Sequence, residues 1–267
     1  MGGLAFIPAA SIASALFIQK VQRTEVLCIV VGLAFMIVGL IDDFLKQKHK
    51  ENLGLKAWQK FAFQAFIAIF AGAYCLRTGL TALYLPFTGK QVDIGVGIFP
   101  LAVFAFLATV NAVNLTDGLD GLAAGSAVPF FLSVGIIIYT EGKNASESVI
   151  CFALVGALLA YLLFNTSPAS VFMGDTGSLA LGGFAAGVSI FTGNILYIVV
   201  IGATFVFSVI SVLMQVIYYK ATGGKRIFLM SPVHHHFQQK GYSESKIAYA
   251  YFTVTSLLGA IAVLAVI

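Results

Sequence analysis

The sequence predicts an all-α polytopic membrane protein with nine transmembrane helices, forming a single domain over residues 1–267. Of its 267 residues, 60% are hydrophobic and only 10% are charged, and the mean hydropathy is +0.98. About a quarter of the residues of an ordinary soluble domain are charged, so this composition excludes that class. Apolar runs recur along the whole chain, and each approaches the length that crosses roughly 30 Å of hydrocarbon.

Nine apolar runs predict the nine helices in chain order. They cover residues 3–19, 26–41, 61–76, 97–113, 120–139, 149–164, 178–192, 195–217 and 247–267. Each run ends where polar or charged residues begin, as expected where a helix leaves the membrane. Several runs are near the short limit for a span, so we expect the bounds to move by a few residues.

The basic residues predict which loops face the cytoplasm. Nine spans place the loops 42–60, 111–120, 165–177 and 218–246 on the same side, and ten of the 15 basic residues lie in them. Because Lys and Arg favour the cytoplasmic side, we expect this set to be cytoplasmic. Three acidic windows fall in the same set. A transporter would instead carry its acids near the bilayer midplane.

The first acidic window holds Asp42, Asp43 and Lys46, at the end of the second apolar run. Acids at the depth or edge of a membrane are functional-site candidates by default. The alternative interpretation is a solvated helix end, with an i,i+4 ion pair between Asp42 and Lys46.

The second window, residues 111–121, suggests a cation site. Asn111 and Asn114 are one helical turn apart, and Asp117 and Asp120 continue the spacing, so we expect four oxygen-bearing side chains on one stripe. Hard cations such as Mg²⁺ prefer oxygen ligands and keep waters that a phosphate can replace. Capping of a helix end explains one or two of these residues, but not four.

The third window, residues 172–178, precedes the seventh run. Its Asp-Thr-Gly-Ser segment, Asp175 to Ser178, is a good N-cap cluster, and anions favour helix N-termini. Capping alone explains this window as well as a functional site does. Phe172 is suited to stacking on a base, although an aromatic residue at the interface needs no such explanation.

A triple-histidine loop follows the eighth run. The histidines at 234–236 come after Lys225 and Arg226. Three consecutive residues cannot all face one metal from a regular element. Imidazoles beside basic residues are better suited to phosphate oxygens than to zinc. Gln215, a polar residue in an apolar run, either faces the same cavity or forms an ordinary interhelical hydrogen bond.

Together these motifs resemble the polyprenyl-phosphate N-acetylhexosamine-1-phosphate transferases. The matching pieces are Asp-Asp-x-x-Lys at 42–46, Asn-x-x-Asn-Leu-Thr-Asp-Gly-Leu-Asp-Gly at 111–121, Met-Gly-Asp-Thr-Gly-Ser at 173–178 and Ser-Pro-Val-His-His-His-Phe at 231–237. The first three fit the wider superfamily, whereas the triple-histidine loop resembles its phospho-N-acetylmuramoyl-pentapeptide transferase branch.

The resemblance implies transfer of phospho-MurNAc-pentapeptide from UDP-MurNAc-pentapeptide to undecaprenyl phosphate, giving lipid I and UMP in peptidoglycan synthesis. It implies a Mg²⁺ cofactor and a bacterial inner membrane, with the active site facing the cytoplasm. The expected partners are these two substrates and the lipid bilayer. A homodimer is compatible with such a bundle, and we expect no nucleic acid partner.

The resemblance also implies residue roles, with Asp175 as the principal metal ligand and Asp42 as a candidate base. The expected metal set is Asp175, Asn114 and Asp117. The expected catalytic residues are Asp42, Asp43, Asp117, Asp175 and His234. The expected substrate-binding residues are Lys46, Asn111, Asn114, Asp120, Phe172, Ser178, Gln215, His234, His235 and His236.

The chain departs from the family pattern in two places. The family usually begins with another span and a loop ending in Gly-Thr-Pro-Thr-Met-Gly-Gly, whereas this chain starts at Met1-Gly2-Gly3. We therefore expect its nine spans to correspond to ten in the family. Gln238 stands where the family more often has Glu after the three histidines, which puts only a secondary contact in question.

Two other functions stay open at this point, a sister transferase that uses UDP-GlcNAc and a cation transporter. The transporter leaves the histidine loop unexplained. For the transferase, both direct in-line phosphoryl transfer and a covalent route through Asp117 or Asp175 remain alternatives.

Overall fold

The computed structural model of the chain describes residues 1–18, 23–49, 54–142 and 145–267. Helices make up most of this part of the chain. They are α1 Gly3–Phe17, α2 Arg23–His49, α3 Ala57–Thr78, α4 Ile98–Thr116, α5 Leu122–Glu141, α6 Ala145–Asn165, α7 Gly174–Phe191, α8 Ile195–Ile201, α9 Ala203–Ala221, α10 Val233–Gln239 and α11 Glu244–Leu264. A short 3-10 helix, Gly95–Gly97, precedes α4.

Each predicted apolar run coincides with a helix, except that the run 195–217 is divided into α8 and α9. The division falls at Gly202, whose ψ of 20° departs from helical values. A Cβ atom there would lie 2.5 Å from the carbonyl oxygen of Ile198, so the tight turn requires glycine. The expectation of one continuous eighth helix is therefore wrong.

Within the described ranges, 7 helices are long and apolar enough to cross a membrane, judged by length and composition. They are α2, α3, α4 with its preceding 3-10 turn, α5, α6, α9 and α11. Helix α1 is shorter, at 15 residues. The architecture is that of a multi-pass helical membrane protein.

Helix α7 lies inside the bundle, where it packs against α2 and α4. Every residue from Thr176 to Phe191 is buried. Its glycines allow this close packing, since a Cβ atom on Gly182 would lie 2.5 Å from the Cα atom of Val110 in α4. Close approach through small residues is typical of helices in membranes. The packing places the first turn of α7, with Asp175, between α2 and α4.

A small β-hairpin corrects the prediction of an all-α chain. Strands β1 Ala82–Tyr84 and β2 Gln91–Asp93 pair antiparallel, with Leu83 opposite Val92. Pro86 and Gly89, residues that favour turns, lie in the connection. The backbone N–H of Tyr84 donates to the carbonyl of Gly193, 2.9 Å away, so the hairpin docks on the turn before α8.

Two predicted loops begin later than expected, because α2 continues through residue 49 and α4 continues through Thr116. Asp42, Asp43 and Lys46 therefore project from a helix. Helix α4 ends where Asp117 adopts a ψ of 47°, and the predicted stripe from residue 111 to residue 120 is wrong beyond this point. Helix α5 starts after Gly121, which has a φ of 72°.

Candidate active site

A cavity of about 500 Å³ lies where the ends of α2, α4, α7 and α11 meet. The three acidic windows, widely separated in sequence, come together there. Of the residues singled out in the sequence, seven line the cavity, namely Asp43, Lys46, Asn114, Asp117, Asp120, Phe172 and Asp175. Such a polar concave site is where chemistry on a charged substrate is expected.

Asp175 is the centre of the polar contacts in this cavity. Its Oδ2 atom lies 2.7 Å from Nζ of Lys46 and 2.9 Å from Nζ of Lys60. Its Oδ1 atom accepts a hydrogen bond of 2.6 Å from the amide of Asn114. Burial alone raises the pKa of the Asp175 carboxyl, but hydrogen bonding with Asp42 and the charges of the two lysines outweigh it and hold this pKa well below its usual range.

Asp42 is buried beneath this centre. Its Oδ1 atom accepts a hydrogen bond of 2.7 Å from the backbone N–H of Leu55, and its Oδ2 atom lies 2.7 Å from Nζ of Lys46. The i,i+4 ion pair considered from the sequence is thus present. Since Lys46 also contacts Asp175, the pair helps to position the central carboxylate.

Asp43 caps the N-terminus of α7 from a neighbouring helix. Its two carboxylate oxygens accept hydrogen bonds from the backbone N–H groups of Asp175 and Thr176, at 3.1 and 3.0 Å, and from the Thr176 hydroxyl at 2.6 Å. The residue at the N-cap position, Met173, makes no side-chain cap. Gly174 has a φ of 72°, and a Cβ atom there would lie 2.5 Å from Oδ2 of Asp43. The cap that the sequence suggested within α7 therefore comes from α2.

A divalent cation fits the chemistry of these acids. Carboxylate oxygens of Asp42, Asp43 and Asp175 lie within 4.8 Å of one another, and Mg²⁺ is bound by such oxygens. Asp117 lies beside them, and in the described part of the chain its carboxylate has no hydrogen bond or ion pair. Burial, followed by the like charges of Asp175 and Asp43, raises its pKa well above the usual range. A cation bound at Asp117 would relieve this repulsion.

The two asparagines have different surroundings. Asn114 lines the cavity, and its amide nitrogen also lies 2.8 Å from the hydroxyl of the buried Ser178. Asn111 points elsewhere, since its amide donates to Oε1 of Gln64 and to the carbonyl of Leu107, each at 2.8 Å. The structure thus brings Asn114 and Ser178 to Asp175, and it does not bring Asn111 to the cavity.

Asp120 and Phe172 lie at the edge of the cavity. The Oδ2 atom of Asp120 accepts a hydrogen bond of 2.9 Å from the backbone N–H of Ala169, which joins the segment after α4 to the segment before α7. The Phe172 side chain is exposed and free to stack on a planar ligand. A nucleotide base is a ligand that suits this pair, because it offers a face for stacking and an edge for hydrogen bonds.

The first two histidines of the loop face the cavity wall. A Cβ atom on Gly118 would lie 2.6 Å from Nε2 of His234 and 2.9 Å from Nε2 of His235. His234 is fully buried, and neither of its ring nitrogens has a hydrogen-bond partner among the described residues. Burial, followed by the neighbouring His235, lowers the pKa of His234 to about 3. The ring is therefore neutral at pH 7 and has hydrogen-bonding capacity to spare.

His236 and Gln215 face away from this cavity. Nδ1 of His236 accepts a hydrogen bond of 3.1 Å from the backbone N–H of Leu229. Oε1 of Gln215 accepts from the backbone N–H groups of Ile227 and Phe228, at 3.1 and 3.0 Å, and the residue lines a second cavity. The hydrogen bonds of Gln215 hold the loop that carries the histidines, which neither alternative from the sequence anticipated.

Sequence reasoning missed two charged residues of the site. Lys60, near the start of α3, contacts Asp175, and Glu244, at the start of α11, lines the cavity. Oε2 of Glu244 accepts a hydrogen bond of 2.9 Å from the backbone N–H of Asp120. Each is a charged residue in the first turn of an apolar helix. That position could have identified both residues from the sequence, because a charge in the first turn of these helices lies at the same membrane edge as the acidic windows.

The chain is similar to known protein families over most of its length. The model of glycosyl transferase family 4 matches residues 26–193. A phospho-N-acetylmuramoyl-pentapeptide-transferase of Listeria monocytogenes serotype 4b (strain CLIP80459) is 42% identical over 265 residues, which cover 98% of this chain and 81% of the relative.

Proteins from other bacteria carry the same name. The one from Clostridioides difficile (strain 630) is 40% identical over 270 residues, covering 100% of this chain and 83% of the relative. The one from Clostridium perfringens (strain SM101 / Type A) is 43% identical over 255 residues, covering 96% of this chain and 78% of the relative. The motifs identified in the sequence and these similarities point to the same kind of protein.

Proposed function

The chain belongs to glycosyl transferase family 4, and from that premise we propose that it transfers phospho-MurNAc-pentapeptide from UDP-MurNAc-pentapeptide to undecaprenyl phosphate. The products are lipid I and UMP. One observation of the structure carries this proposal most directly. A cavity at the helix ends holds Asp175, which two lysines contact, and the carboxylate of Asp117, which has no hydrogen bond or ion pair among the described residues. This arrangement is suited to a diphosphate together with a cation.

The cavity is proposed to face the cytoplasm of a bacterial inner membrane. The positive-inside rule supports this side, because most basic residues lie in the loops that adjoin the cavity. A soluble nucleotide-linked donor would reach the cavity from the aqueous side. The lipid acceptor would bring its phosphate to the same depth from the bilayer.

Mg²⁺ is the proposed cofactor, held by Asp175 and Asp117 with Asn114 close by. When bound there, the cation supplies charge neutralisation for the donor diphosphate. Lys46 and Lys60 already hold Asp175 ionised. They are positioned to contact phosphate oxygens as well, so the negative charge that develops during transfer meets fixed positive charges.

The proposed reaction is a single in-line displacement. An oxygen of the lipid phosphate attacks the sugar-linked phosphorus, the bond from that phosphorus to the UMP oxygen breaks, and UMP leaves with the bonding electron pair. A phosphate monoester has its second pKa near 6, so the acceptor is already largely ionised at neutral pH and needs no strong base. Asp42, bound to Lys46 and to the N–H of Leu55, is therefore assigned a positioning role.

The remaining predicted residues are proposed to hold the donor. Asp120 and Phe172 would contact the uracil, and His234 and His235 would contact phosphate or sugar oxygens. Gln215 and His236 act indirectly in this proposal, because their hydrogen bonds fix the backbone between residues 227 and 229. Asn111, bonded to Gln64, would stabilise the end of α4.

One assay tests the proposed function. Purified protein in lipid nanodiscs receives Mg²⁺, undecaprenyl phosphate and UDP-MurNAc-pentapeptide, and UMP release is measured. We expect release with this donor and little with UDP-GlcNAc, and we expect EDTA to abolish it until Mg²⁺ is restored. Preference for UDP-GlcNAc would assign the sister activity. Ion flux in liposomes without UMP release would assign the transporter.

A second experiment distinguishes direct from covalent transfer. Both oxygens of Asp175 are engaged by Lys46, Lys60 and Asn114, so Asp117 is the better candidate nucleophile of a covalent route. Protein is incubated with donor labelled in its sugar-linked phosphate, without the lipid acceptor. The direct route predicts no labelled protein, and a phospho-MurNAc-pentapeptide ester on Asp117, formed with release of UMP, would overturn it.

A further inference from the structure

The cavity that holds Asp43, Asp117, Asp120 and Asp175 is called the acidic cavity below. A second cavity, of about 520 Å³, lies beside the end of α9 and shares no lining residue with it. Two cations line it, Lys220 and Arg226. Tyr219, Ser231 and Gln239 add polar groups to its wall. The proposed transfer reaction uses none of these five residues.

Within the described ranges, no acidic side chain pairs with the two cations of the second cavity. The sequence contains no Asp or Glu between Asp175 and Glu244. Among the described residues, neither Lys220 nor Arg226 forms an ion pair, and Arg226 donates only to the backbone carbonyl of Leu229, 3.3 Å away. Cations gathered in a concave site without counter-charge favour the binding of an anion.

The surroundings of the cavity are those of a membrane surface. It adjoins the last turns of α9, where Ile217 and Tyr218 are exposed, and the loop beyond exposes Leu229 and Met230. Exposed tyrosines are typical of the interface between hydrocarbon and water. Basic residues at that depth attract anionic headgroups.

We propose that the second cavity binds the phosphate headgroup of an anionic phospholipid from the surrounding bilayer. The acceptor lipid is a less suitable occupant, because its phosphate must reach the donor in the acidic cavity, with which the second cavity shares no residue. A bound phospholipid would stabilise the loop between α9 and α10, since Arg226, Leu229 and Ser231 all belong to it.

Lipid retention measured by native mass spectrometry tests this assignment. Protein is taken from nanodiscs containing phosphatidylglycerol and phosphatidylcholine, with undecaprenyl phosphate in a parallel sample. The double variant Lys220→Gln/Arg226→Gln should retain about thirtyfold less phosphatidylglycerol than the unaltered protein. The matched control Lys225→Gln/Lys240→Gln removes the same charge outside the cavity and should retain it.

Equal loss in both double variants would overturn the proposal, because it would indicate diffuse surface charge. Selective loss of undecaprenyl phosphate would overturn it in favour of the acceptor lipid. The conservative variant Lys220→Arg/Arg226→Lys keeps both charges and should keep the phospholipid, which separates lost binding from lost folding.

A different observation carries a second inference, which rests on the proposed function. Gln238 lies between His235 and Glu244, with its Nε2 atom 2.9 Å from Oε1 of Glu244 and its Oε1 atom 3.0 Å from Nδ1 of His235. An ionised carboxylate only accepts hydrogen bonds, so the amide nitrogen of Gln238 must face Glu244. Its oxygen then faces His235, and Nδ1 of His235 must carry the proton.

We infer that Glu244 and Gln238 are positioning residues that fix the proton of His235 on Nδ1 and direct Nε2 towards Gly118 at the wall of the acidic cavity. Nε2 is then the atom presented to the donor. Glu244 also accepts the backbone N–H of Asp120, so one carboxylate joins the histidine to the proposed uracil contact.

Nitrogen-15 NMR of histidine-labelled protein tests this inference, with the His235 signal assigned through His235→Asn. Gln238→Met should abolish the fixed Nδ1–H tautomer and raise the KM for the UDP-linked donor roughly tenfold, with the KM for the lipid unchanged. The double variant Gln238→Glu/Glu244→Gln keeps an acceptor beside Nδ1 of His235 and a hydrogen-bond donor at position 244, so it should restore the tautomer. Lys240→Met, which lies outside both cavities, is the matched control.

An unchanged tautomer in Gln238→Met would overturn the inference, and so would a shifted tautomer without any change in donor KM. The NMR signal does not depend on turnover, so failure of the proposed function is recognised separately. In that case the unaltered protein would not turn over the donor, whereas the tautomer of His235 would still respond to the substitution.

Discussion

The two sides of the acidic cavity differ in how their polar groups are satisfied. On the side formed by α2 and α7, the carboxylates of Asp43 and Asp175 are paired with backbone N–H groups, lysines and an amide. On the opposite side, among the described residues, the Asp117 carboxylate and both ring nitrogens of His234 have no partner. Buried polar groups in proteins are almost always paired, and the His234 ring is fully buried, whereas Asp117 is half-buried and open to the cavity. The first side is therefore built to hold geometry, and the second is where a ligand would complete the site.

The largest expected effect comes from Asp175→Asn, at the centre of the paired side. The substitution removes the charge that both lysines and the proposed cation need, so UMP release should fall about a thousandfold or more. The same assay on the unaltered protein is the reference. Activity above a tenth of that reference would contradict the central role of Asp175.

Asp117→Asn probes the unpaired side and should separate activity from stability. Turnover should fall roughly a hundredfold if Asp117 holds the cation. The melting temperature should stay the same or rise in the absence of Mg²⁺, because the half-buried side chain at position 117 no longer repels Asp175 and Asp43. A clear loss of thermal stability would show that Asp117 has a structural partner instead.

Protonation of His234 on unfolding should make the protein less stable in mild acid. Its pKa is lowered to about 3 in the folded protein and is about 6.5 in an unfolded chain. Between these values the unfolded state binds more protons, so stability is present above pH 6.5 and falls as pH decreases. The loss is about 1.4 kcal/mol for each pH unit.

Melting temperatures at pH 7 and pH 5 measure this dependence. The variant His234→Gln, which does not titrate in that range, should lose part of the difference. An identical pH dependence in the variant would mean that other groups control acid stability.

Asp43→Asn gives the smallest expected effect. Unlike Asp117→Asn, which should lose turnover and keep stability, it should lose stability. One oxygen acceptor for the first turn of α7 is lost, which should lower the free energy of unfolding by about 1 kcal/mol. Turnover should fall by less than in Asp175→Asn, because Asp43 acts by positioning. A variant with unchanged stability and no activity would instead assign Asp43 to the chemistry.

The sequence was sufficient to predict the long apolar helices, because apolar runs of membrane length carry a strong and local signal. It did not predict α10, which lies inside the expected loop 218–246. It failed at the β-hairpin 82–93, where three-residue strands are too short for a clear period. It also failed at Gly202, where a tight turn divides an apolar run without any polar residue. Neither feature changes hydropathy, so neither was visible in the pattern.

The candidate site was predicted as a set of motifs more accurately than as a set of contacts. Residue type identified Asp175 and Asp117, since acids at a membrane edge are uncommon. The spacing argument for Asn111 failed because helix α4 ends at Thr116 and the Asn111 amide bonds to Gln64. The contact of Lys60 with Asp175 depends on how α3 packs, which a single sequence does not encode locally.

The cap that Asp43 places on α7 also bears on how the protein is made. Helix α2 leaves the ribosome long before α7, and the first turn of α7 lacks its acceptor until the two helices have docked. A chain in which α2 and α7 have not yet docked thus contains both Asp43 and Asp175 without the hydrogen bonds that orient the first turn of α7. The acidic cavity is therefore assembled only when segments far apart in the sequence have met, so its geometry depends on late steps of folding.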